Sequence, residues 1–291
     1  MPKHIHWYPG HIAKAQRQLK EKLNLVDAVI EVIDSRIPYS SWYKTTQKLC
    51  SDKPRIILMN KSDVSDEKMN KIWAKTISGL SKCEVIATSL KNKNDVNLII
   101  NKVIRLADNI TQQRIQKGLL PRAIRTMVIG MPNVGKSSTI NRLVKRSKTK
   151  TGPKAGVTRQ QQWVRINDKI ELLDTPGIIP TVQDDQFQAL KLACVNSIGE
   201  NAYDSEYTAF SLLKILDDKY PMEIRKYFGF EIDMKSEDLT LENIALKRKW
   251  ILKNSAPDTK RTSEVFLSLF RDGKIGNFTL ETVDEYEFIL F

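Results

Sequence analysis

A glycine-containing loop in the middle of the chain constrains the fold more than any other stretch. Gly130, Gly135, Lys136 and Ser137 have the spacing G-x-x-x-x-G-K-[ST], which is typical of a phosphate-binding loop. An apolar run precedes this loop, and apolar residues at helical spacing follow it. Between a strand and a helix, such a loop points backbone N–H groups at an anion. The pattern therefore predicts a site for the phosphate chain of a nucleotide.

Each polar side chain of this loop has an expected task. Lys136 is predicted to reach the β- and γ-phosphates, where its charge also serves catalysis, and the Ser137 hydroxyl is predicted to bind Mg²⁺. The other loop residues that we expect to contact the nucleotide are Asn133, Val134, Gly135 and Ser138.

A second motif, Asp174-Thr175-Pro176-Gly177, follows the apolar run 170–173. An aspartate at such a strand end holds Mg²⁺ through water in phosphoryl-transfer sites of this class, and we expect the Gly177 N–H to sense the γ-phosphate during catalysis. Thr158 lies between the two motifs, in a stretch rich in Gly, Lys and Thr. It is predicted as a second Mg²⁺ ligand in a loop that the γ-phosphate orders. An ordinary loop threonine is the alternative.

A third motif, Asn60-Lys61-Ser62-Asp63, follows the apolar run 55–59 and predicts which base is bound. The Asp63 carboxylate can accept hydrogen bonds from the ring N–H and the exocyclic amine of guanine, a donor pair that adenine lacks. Asn60 is expected to support Asp63, and the Lys61 stem to lie over the base. Ser89 and Leu90 follow the next predicted strand, where a backbone N–H would meet the guanine oxygen; Leu90 stands where a small residue is usual.

The order of these motifs is unusual, because the guanine-reading motif precedes the phosphate loop and Asp174–Gly177 comes last. In an ordinary GTPase the guanine motif follows the other two, so this set is circularly permuted. Permutation is tolerated where the termini of a compact domain lie close together. The segment after Gly177, which responds to the γ-phosphate, then runs directly into the rest of the chain.

The alternation of apolar runs and helical patterns predicts an α/β fold with a doubly wound, mostly parallel sheet, a circularly permuted P-loop GTPase domain. We place this domain at residues 1–185. Beyond it the pattern predicts helices without strands, and we assign 186–291 to a smaller, all-helical domain. The segments 162–166 and 169–174 predict a hairpin.

Several helix boundaries are less sharply marked in the sequence. A basic, exposed helix is predicted at 12–24, and another helix at 94–108, followed by a polar connector at 109–122. In the second half, helices are predicted near 186–198, 206–219, 238–254 and 258–272.

The charge distribution indicates a polyanionic partner. The net charge is +13, and the stretch 109–167 holds thirteen basic residues and no acidic one. The phosphates of a nucleotide account for few of these charges, so nucleic acid is the first candidate partner and an acidic membrane the second. The three cysteines are scattered, which favours reduced thiols over disulfides or a zinc site. Neither a transmembrane run nor an apolar leader is found, and we expect a cytoplasmic protein.

The motifs together resemble the circularly permuted GTPases of the ribosome biogenesis GTPase A family (RbgA/YlqF), within the YlqF/YawG group. The resemblance is specific over residues 1–185 and weaker beyond. The segments that carry it are W-Y-P-G-H (7–11), A-K-A (13–15), V-I-D-S-R-I-P (32–38), N-K-S-D (60–63), P-R-A-I-R (121–125), G-M-P-N-V-G-K-S (130–137), G-V-T-R-Q-Q-Q-W (156–163) and D-T-P-G-I (174–178).

This resemblance implies a GTPase that matures the large ribosomal subunit, binds its rRNA in a nucleotide-dependent way and uses GTP or GDP with Mg²⁺. Ile178 stands where Ras-like enzymes carry a water-orienting glutamine, so another group must position the water. His11 matches the position assigned to catalysis in the family, although W-Y-P-G-H could instead only pack the N-terminus. Asn133 matches the loop asparagine of potassium-dependent relatives, and a K⁺ ligand and a plain polar loop residue are both open.

These features favour a GTPase that is slow alone, is stimulated by the ribosomal subunit and acts as a monomer. Two alternatives remain open: a regulatory protein that senses GTP or an alarmone with negligible turnover, and a GTPase that serves a tRNA-modification or membrane partner.

Overall fold

The computed structural model describes residues 17–42, 45–50, 53–148, 163–173, 177–178, 185–232, 234, 236–253 and 255–286. The strands are β1 Ala28–Asp34, β2 Arg55–Asn60, β3 Glu84–Thr88, β4 Ile124–Gly130, β5 Trp163–Asn167, β6 Ile170–Leu173 and β7 Gly177–Ile178. The helices of the sheet region are α1 (residues 17–23), α2 Pro38–Ser41, α3 Thr45–Cys50, α4 Glu67–Ser81, α5 Lys93–Gln116 and α6 Lys136–Lys148. Those that follow are α7 Gln186–Cys194, α8 Ser205–Lys219, α9 Pro221–Phe228, α10 Glu237–Arg248 and α11 Thr259–Arg271.

These strands form a single mixed sheet in the order β3-β2-β1-β4-β6-β5, with β7 also paired to β4. Neighbouring strands are parallel except for the hairpin of β5 and β6. The predicted α/β fold with a mostly parallel sheet is therefore confirmed. From β1 the chain adds β2 and β3 on one side, and it then crosses over to place β4 on the other side of β1. Open α/β sheets bind ligands at such a switch point, here between β1 and β4.

Helices cover both faces of this sheet, as its central strands require. Every residue of β1 and β2 is buried, which matches their near-continuous apolar sequence. On one face, Leu58 belongs to the large apolar cluster that includes Ile99 of α5. On the other face, Ile57 packs in a cluster with Trp73 and Ile77 of α4. This arrangement leaves the strand ends, rather than the faces, open to a ligand.

Local helix signals explain where several elements begin. Asp66 caps α4 because its side chain accepts hydrogen bonds from the amides of Lys68 and Met69. Lys136 begins α6 directly after the glycine loop. The helix therefore starts where the predicted phosphate-binding amides lie.

Several sequence-based helix predictions differ from the structure. Helix α5 continues to Gln116, so the predicted connector at 109–122 is wrong over its first half; Ile110 is 8% exposed and extends the buried stripe of the helix. Helix α10 ends at Arg248 rather than 254, because Lys249 takes a left-handed backbone conformation. Helix α1 is not exposed along its whole described length, since Leu19 and Leu23 are buried.

After α11 the chain turns back to the sheet through a segment that we call the returning strap (residues 272–286). Apart from a short 3₁₀ turn at Asp284–Tyr286 it is not helical. The Leu280 amide donates to the Arg36 carbonyl at 2.7 Å. The buried Glu281 carboxylate accepts from the Tyr39 amide at 2.7 Å and from both donors of Ser40. The strap therefore closes over the loop between β1 and α2.

Helices α7 to α11 and the sheet share one apolar cluster. Among the helices that the structure describes, none is long and apolar enough to cross a membrane.

Candidate nucleotide-binding site

The predicted site residues meet along one edge of the sheet. Asp34, at the end of β1, is paired in register with Asn60, and Asn60 with Thr88. On the other side of β1, Val32 is in register with Gly130, where the glycine loop begins. Because the carboxyl ends of parallel strands share an edge, the guanine motif and the phosphate loop lie side by side although 70 positions separate Asn60 from Gly130.

Two glycines of the loop stand where a side chain would not fit. Gly130 has φ +155°, and a Cβ there would lie 2.4 Å from the carbonyl oxygen of Val32. Gly135 has φ +108°, and its Cβ would lie 2.1 Å from Nδ2 of Asn60. Both distances are below any normal contact. The loop is therefore wound tightly against β1 and the guanine motif, at two positions that only glycine fits.

Lys136 is buried at the start of α6. Its ammonium donates to the carbonyl of Met131, so the side chain folds back over the loop. Burial lowers its pKa to about 8. A buried ammonium without a carboxylate partner gains from an anionic ligand, and a phosphate chain in the loop would supply that charge.

The first turn of α6 exposes the Ser137 and Ser138 side chains and contains no acidic residue. Because no carboxylate in this turn neutralises the positive end of the helix dipole, that end can stabilise an anionic ligand. Ser137, predicted as a magnesium ligand, is therefore exposed in the first turn of α6, directly after Lys136. Among the described residues, no group of three His, Cys, Asp or Glu side chains could hold a metal ion by itself.

Asn60 and Lys61 join the guanine motif to the phosphate loop. Nδ2 of Asn60 donates to the carbonyl of Val134 at 2.8 Å. Lys61 has a left-handed backbone with φ 65°. Its ammonium lies 2.8 Å from Oδ2 of Asp34 and 2.8 Å from the carbonyl oxygen of Asn133. Asn60 and Lys61 thus link the two halves of the site directly.

Asp63 is exposed beside the loop that follows β3. Its carboxylate forms an ion pair with Lys91 at 2.8 Å. Partial burial acts to raise the pKa of Asp63, but hydrogen bonds from Lys91 and Ser89 outweigh it and hold the pKa below its usual value. The carboxylate is therefore ionised and able to accept two donors from guanine.

The loop after β3 contributes backbone amides near Asp63. The Ser89 amide donates to Asp95 at 2.7 Å, and the Lys91 amide to the Ser89 hydroxyl at 3.3 Å. Leu90 is buried, and its side chain lies near the position of Gly135. The backbone amides of Ser89 and Leu90 were both predicted to meet the guanine oxygen. The Ser89 amide already donates to Asp95, so the Leu90 amide is the better candidate.

Asn133 connects the phosphate loop to the segment after α7. It has φ 56° and an exposed side chain, whose amide nitrogen donates to the carbonyl of Asn196 at 2.6 Å. The amide oxygen is left for another partner. This contact between the loop and the second half of the chain was not expected from the sequence.

Several predicted residues lie outside the part of the chain that the structure describes. These are His11, Thr158 and Asp174. Gly177 is described as the first residue of β7, paired in register with Ile129 of β4, which sets it beside the start of the phosphate loop.

A buried ion pair next to the site was missed by motif reasoning. Arg36 forks onto the Asp34 carboxylate at 2.9 and 2.8 Å, and both side chains are almost wholly buried. The available signal was an aspartate that closes an apolar strand with an arginine two residues later, inside V-I-D-S-R-I-P. Charged residues at that depth are rare unless they are paired.

The chain is similar to known proteins over nearly its whole length. A family model described as 50S ribosome-binding GTPase matches residues 125–228. Ribosome biogenesis GTPase A of Bacillus cereus is 34% identical over 286 residues, which cover 97% of this chain and 95% of that protein. The GDP-bound structure of YlqF from Thermotoga maritima has a TM-score of 0.67 at 28% identity and covers 92% of this chain and 100% of its own. GNP-bound YlqF from the same organism gives 0.67 at 27% identity, covering 92% and 97%.

Proposed function

The chain belongs to the ribosome biogenesis GTPase A family, and from this membership we propose that it is a GTP-hydrolysing switch in the assembly of the large ribosomal subunit. The observation that carries the proposal is the link between Asn60 and the carbonyl of Val134, which joins a guanine-reading motif to a phosphate loop. A protein that only needed phosphate binding would have no use for this link. The regulatory alternative without turnover is not favoured, because the relatives are named as GTPases.

Nucleotide binding is divided between three groups of residues in this proposal. Asp63 reads the base, with Lys61 beside it and the Leu90 amide near the guanine oxygen. Lys136 and the loop amides hold the β- and γ-phosphates. The residues proposed to contact the nucleotide are Asn60, Lys61, Asp63, Ser89, Leu90, Asn133, Val134, Gly135, Lys136, Ser137, Ser138, Thr158 and Gly177.

Magnesium binding is proposed at Ser137 and Thr158, with Asp174 acting through water. The exposed side chain of Ser137, which follows the buried Lys136 in the first turn of α6, supports this assignment. When bound, the ion would neutralise charge on the β- and γ-phosphates. The chain would supply hydroxyl oxygens from Ser137 and Thr158 and, through water, the carboxylate of Asp174.

Ile178 cannot orient water, so hydrolysis needs another group. His11 is proposed for this role because it matches the position assigned to catalysis in the family. Gly177 is proposed to donate its N–H to the γ-phosphate. For K⁺, the side-chain amide oxygen of Asn133 is the candidate ligand, since the amide nitrogen donates a hydrogen bond to the Asn196 carbonyl.

The partner is proposed to be the precursor of the large subunit, bound through its rRNA. The acid-free basic stretch 109–167 supplies charge for RNA phosphates. We propose the division into a nucleotide-binding domain (1–185) and an RNA-binding helical domain (186–291), and a monomeric state.

The test is GTP hydrolysis by the purified protein with and without large ribosomal subunits. We expect a slow basal rate, a stimulated rate with subunits, and association with subunits in GTP but not in GDP. Absence of both the stimulation and the GTP-dependent association would contradict the proposal.

Matched variants in the same assay separate the assigned roles. Asp63→Asn should exchange guanine for xanthine preference, because an amide can donate to the xanthine oxygen that replaces the guanine amine. His11→Ala should lower the stimulated rate while GTP affinity stays nearly unchanged; equal loss of both would argue against a catalytic His11. Replacing KCl by NaCl should slow hydrolysis only if Asn133 holds K⁺.

A further inference from the structure

We propose that Asp34 is a positioning residue of the guanine site: its buried carboxylate holds the Lys61 ammonium against the phosphate loop, and Arg36 ties that carboxylate to the helices after residue 185. The proposal rests on the proposed function, because Lys61 matters here as the residue beside the guanine base. Asp34 acts on the nucleotide through Lys61.

The Asp34 carboxylate is fully engaged at the end of β1. Oδ1 accepts hydrogen bonds from the amide and Nε of Arg36 at 3.1 and 2.9 Å. Oδ2 accepts from Nη2 of Arg36 and from the Lys61 ammonium, each at 2.8 Å. Burial acts to raise the pKa of Asp34, but Arg36 and Lys61 outweigh it and hold the pKa well below the usual range. The carboxylate is therefore charged at any pH at which the protein works.

Lys61 is held from two sides. Its ammonium binds Asp34 on β1 and the Asn133 carbonyl of the phosphate loop. Its left-handed backbone, φ 65°, is unfavourable for a lysine and persists where the surroundings impose it. Asp63, which is proposed to bind the guanine base, follows two residues later. The contacts that hold Lys61 therefore also fix the start of the 3₁₀ turn Ser62–Val64, which contains Asp63.

Two hydrogen-bond routes connect the residues that hold Lys61 to the second half of the chain. Nη1 of Arg36 donates to the Arg271 carbonyl at 3.1 Å. The Arg271 guanidinium in turn donates to the carbonyls of Cys194 and Ala193, each at 3.0 Å. Asn133 reaches the carbonyl of Asn196 directly. Both supports of Lys61 are therefore fastened to the short segment 193–196, which comprises the last two residues of α7 and the two that follow.

Glu31 provides a matched control on the same strand. It is wholly buried like Asp34 and pairs with a buried arginine, Arg55, at 2.9 Å. In contrast to Asp34, it is placed three residues before the end of β1 and has no contact with Lys61 or the phosphate loop among its interactions in the described structure. A substitution at Glu31 disturbs a buried ion pair of β1 without touching the guanine site.

The experiment is a double-mutant cycle on GDP affinity at pH 7.5, with fluorescent GDP as the probe. Asp34→Asn and Lys61→Met should each weaken GDP binding about tenfold, and the double variant should be no weaker than the weaker single one. Glu31→Gln should stay within about twofold of the wild type, as expected of a site outside the network. The kcat at saturating GTP should change much less than KM, because Asp34 positions a binding residue and not the reacting atoms.

Three outcomes would overturn the proposal: full additivity in the cycle, equal weakening by Glu31→Gln and Asp34→Asn, or unchanged affinity in Lys61→Met. The last variant keeps the test decisive if Asp34→Asn does not fold, because it retains the aliphatic stem at a partly exposed position. A wild-type protein that binds no GDP would instead refute the proposed function. Wild-type binding combined with an unaffected Lys61→Met variant would refute only the role of Asp34.

Discussion

At the scale of single residues, the two most buried lysines differ in what neutralises them. Lys191 is wholly buried and lies near two carboxylates, Glu285 at 2.9 Å and Glu281 at 3.8 Å, and its ammonium also donates to the Tyr286 hydroxyl at 2.8 Å. Among the residues that the structure describes, the Lys136 ammonium has the carbonyl of Met131 as its one hydrogen-bond partner, and burial lowers its pKa to about 8. A cation that is left without a countercharge in an otherwise well-paired protein marks the place where an anion belongs.

This difference predicts a pH dependence of nucleotide binding. Phosphates beside Lys136 would raise its pKa, so the bound state holds more protons than the free state above about pH 8, and affinity should fall as pH rises. Between pH 7 and 8.5, with other groups constant, GDP binding should weaken about fourfold by proton linkage.

The measurement is titration calorimetry in two buffers of different ionisation enthalpy, which reports proton uptake directly. Lys136→Arg is the control, because an arginine stays charged over this range. An identical pH profile in both proteins would show that another group controls the dependence.

At the scale of the element, β1 carries two buried carboxylates whose pKa values move in opposite directions. Asp34 accepts four hydrogen bonds from charged or backbone donors, which outweigh its burial. Glu31 has one guanidinium, and burial raises its pKa to about 7, against the smaller opposing effects of Arg55 and Thr46. Asp34, at the end of the strand, is thus held in its charged form, whereas Glu31, in the middle of the strand, is more easily protonated.

The raised pKa of Glu31 predicts that part of the stability depends on pH. The folded protein binds this proton more tightly than the unfolded chain, so the contribution is complete below about pH 4.5 and is lost as pH rises through about 7. With about 1.4 kcal/mol per pKa unit, the full contribution is about 3.5 kcal/mol, of which about 2.5 kcal/mol is lost between pH 5 and pH 7.5.

Urea denaturation of the wild type and Glu31→Gln at pH 5 and pH 7.5 checks this expectation. The difference in unfolding free energy between the two proteins should change by about that amount across the interval, because groups common to both cancel. A difference that is the same at both pH values would refute it.

Local elements were predictable from the sequence where the signal is local. The phosphate loop, the guanine motif and the β5–β6 hairpin each lie within a short stretch, and their positions in the sheet follow from the alternation of apolar runs. Helix α5 was predicted too short because the polar residues after 108 hid the buried Ile110. Asp34 and Arg36 could not be interpreted, since Arg36 completes its bonding with Arg271, 235 residues away.

At the scale of the whole molecule, the returning strap closes the fold. Its Glu281 carboxylate is an acceptor for the Tyr39 and Ser40 amides and for the Tyr286 hydroxyl at 2.9 Å, all at buried positions. Trp73 of α4 donates its indole N–H to the Glu281 carbonyl at 3.0 Å. Glu281 thus accepts hydrogen bonds both from the loop after β1 and from helix α4, which packs on a face of the sheet.

Glu281→Ala is predicted to be strongly destabilising. It leaves several buried donors without an acceptor and removes an anion from Lys191, which should cost about 3–5 kcal/mol of unfolding free energy. Asp284→Ala, at an exposed position of the same strap, should stay within about 0.5 kcal/mol.

Urea denaturation at pH 7.5 measures both variants. Similar values for Glu281→Ala and Asp284→Ala would show that the strap is held by its apolar contacts and not by the buried carboxylate.

The reach of the strap has a consequence for biosynthesis. Tyr39 and Glu281 are 242 residues apart, so translation delivers one long before the other. A nascent chain can pair β1, β2 and β4 while Arg36 still lacks the Arg271 carbonyl and the loop after β1 still lacks its clamp. Contacts at such separation form slowly, because a long loop must close before they contribute. A partly synthesised copy therefore carries a guanine motif that is present in sequence but not yet fixed in place, and the protein becomes a competent switch only after the strap has been made.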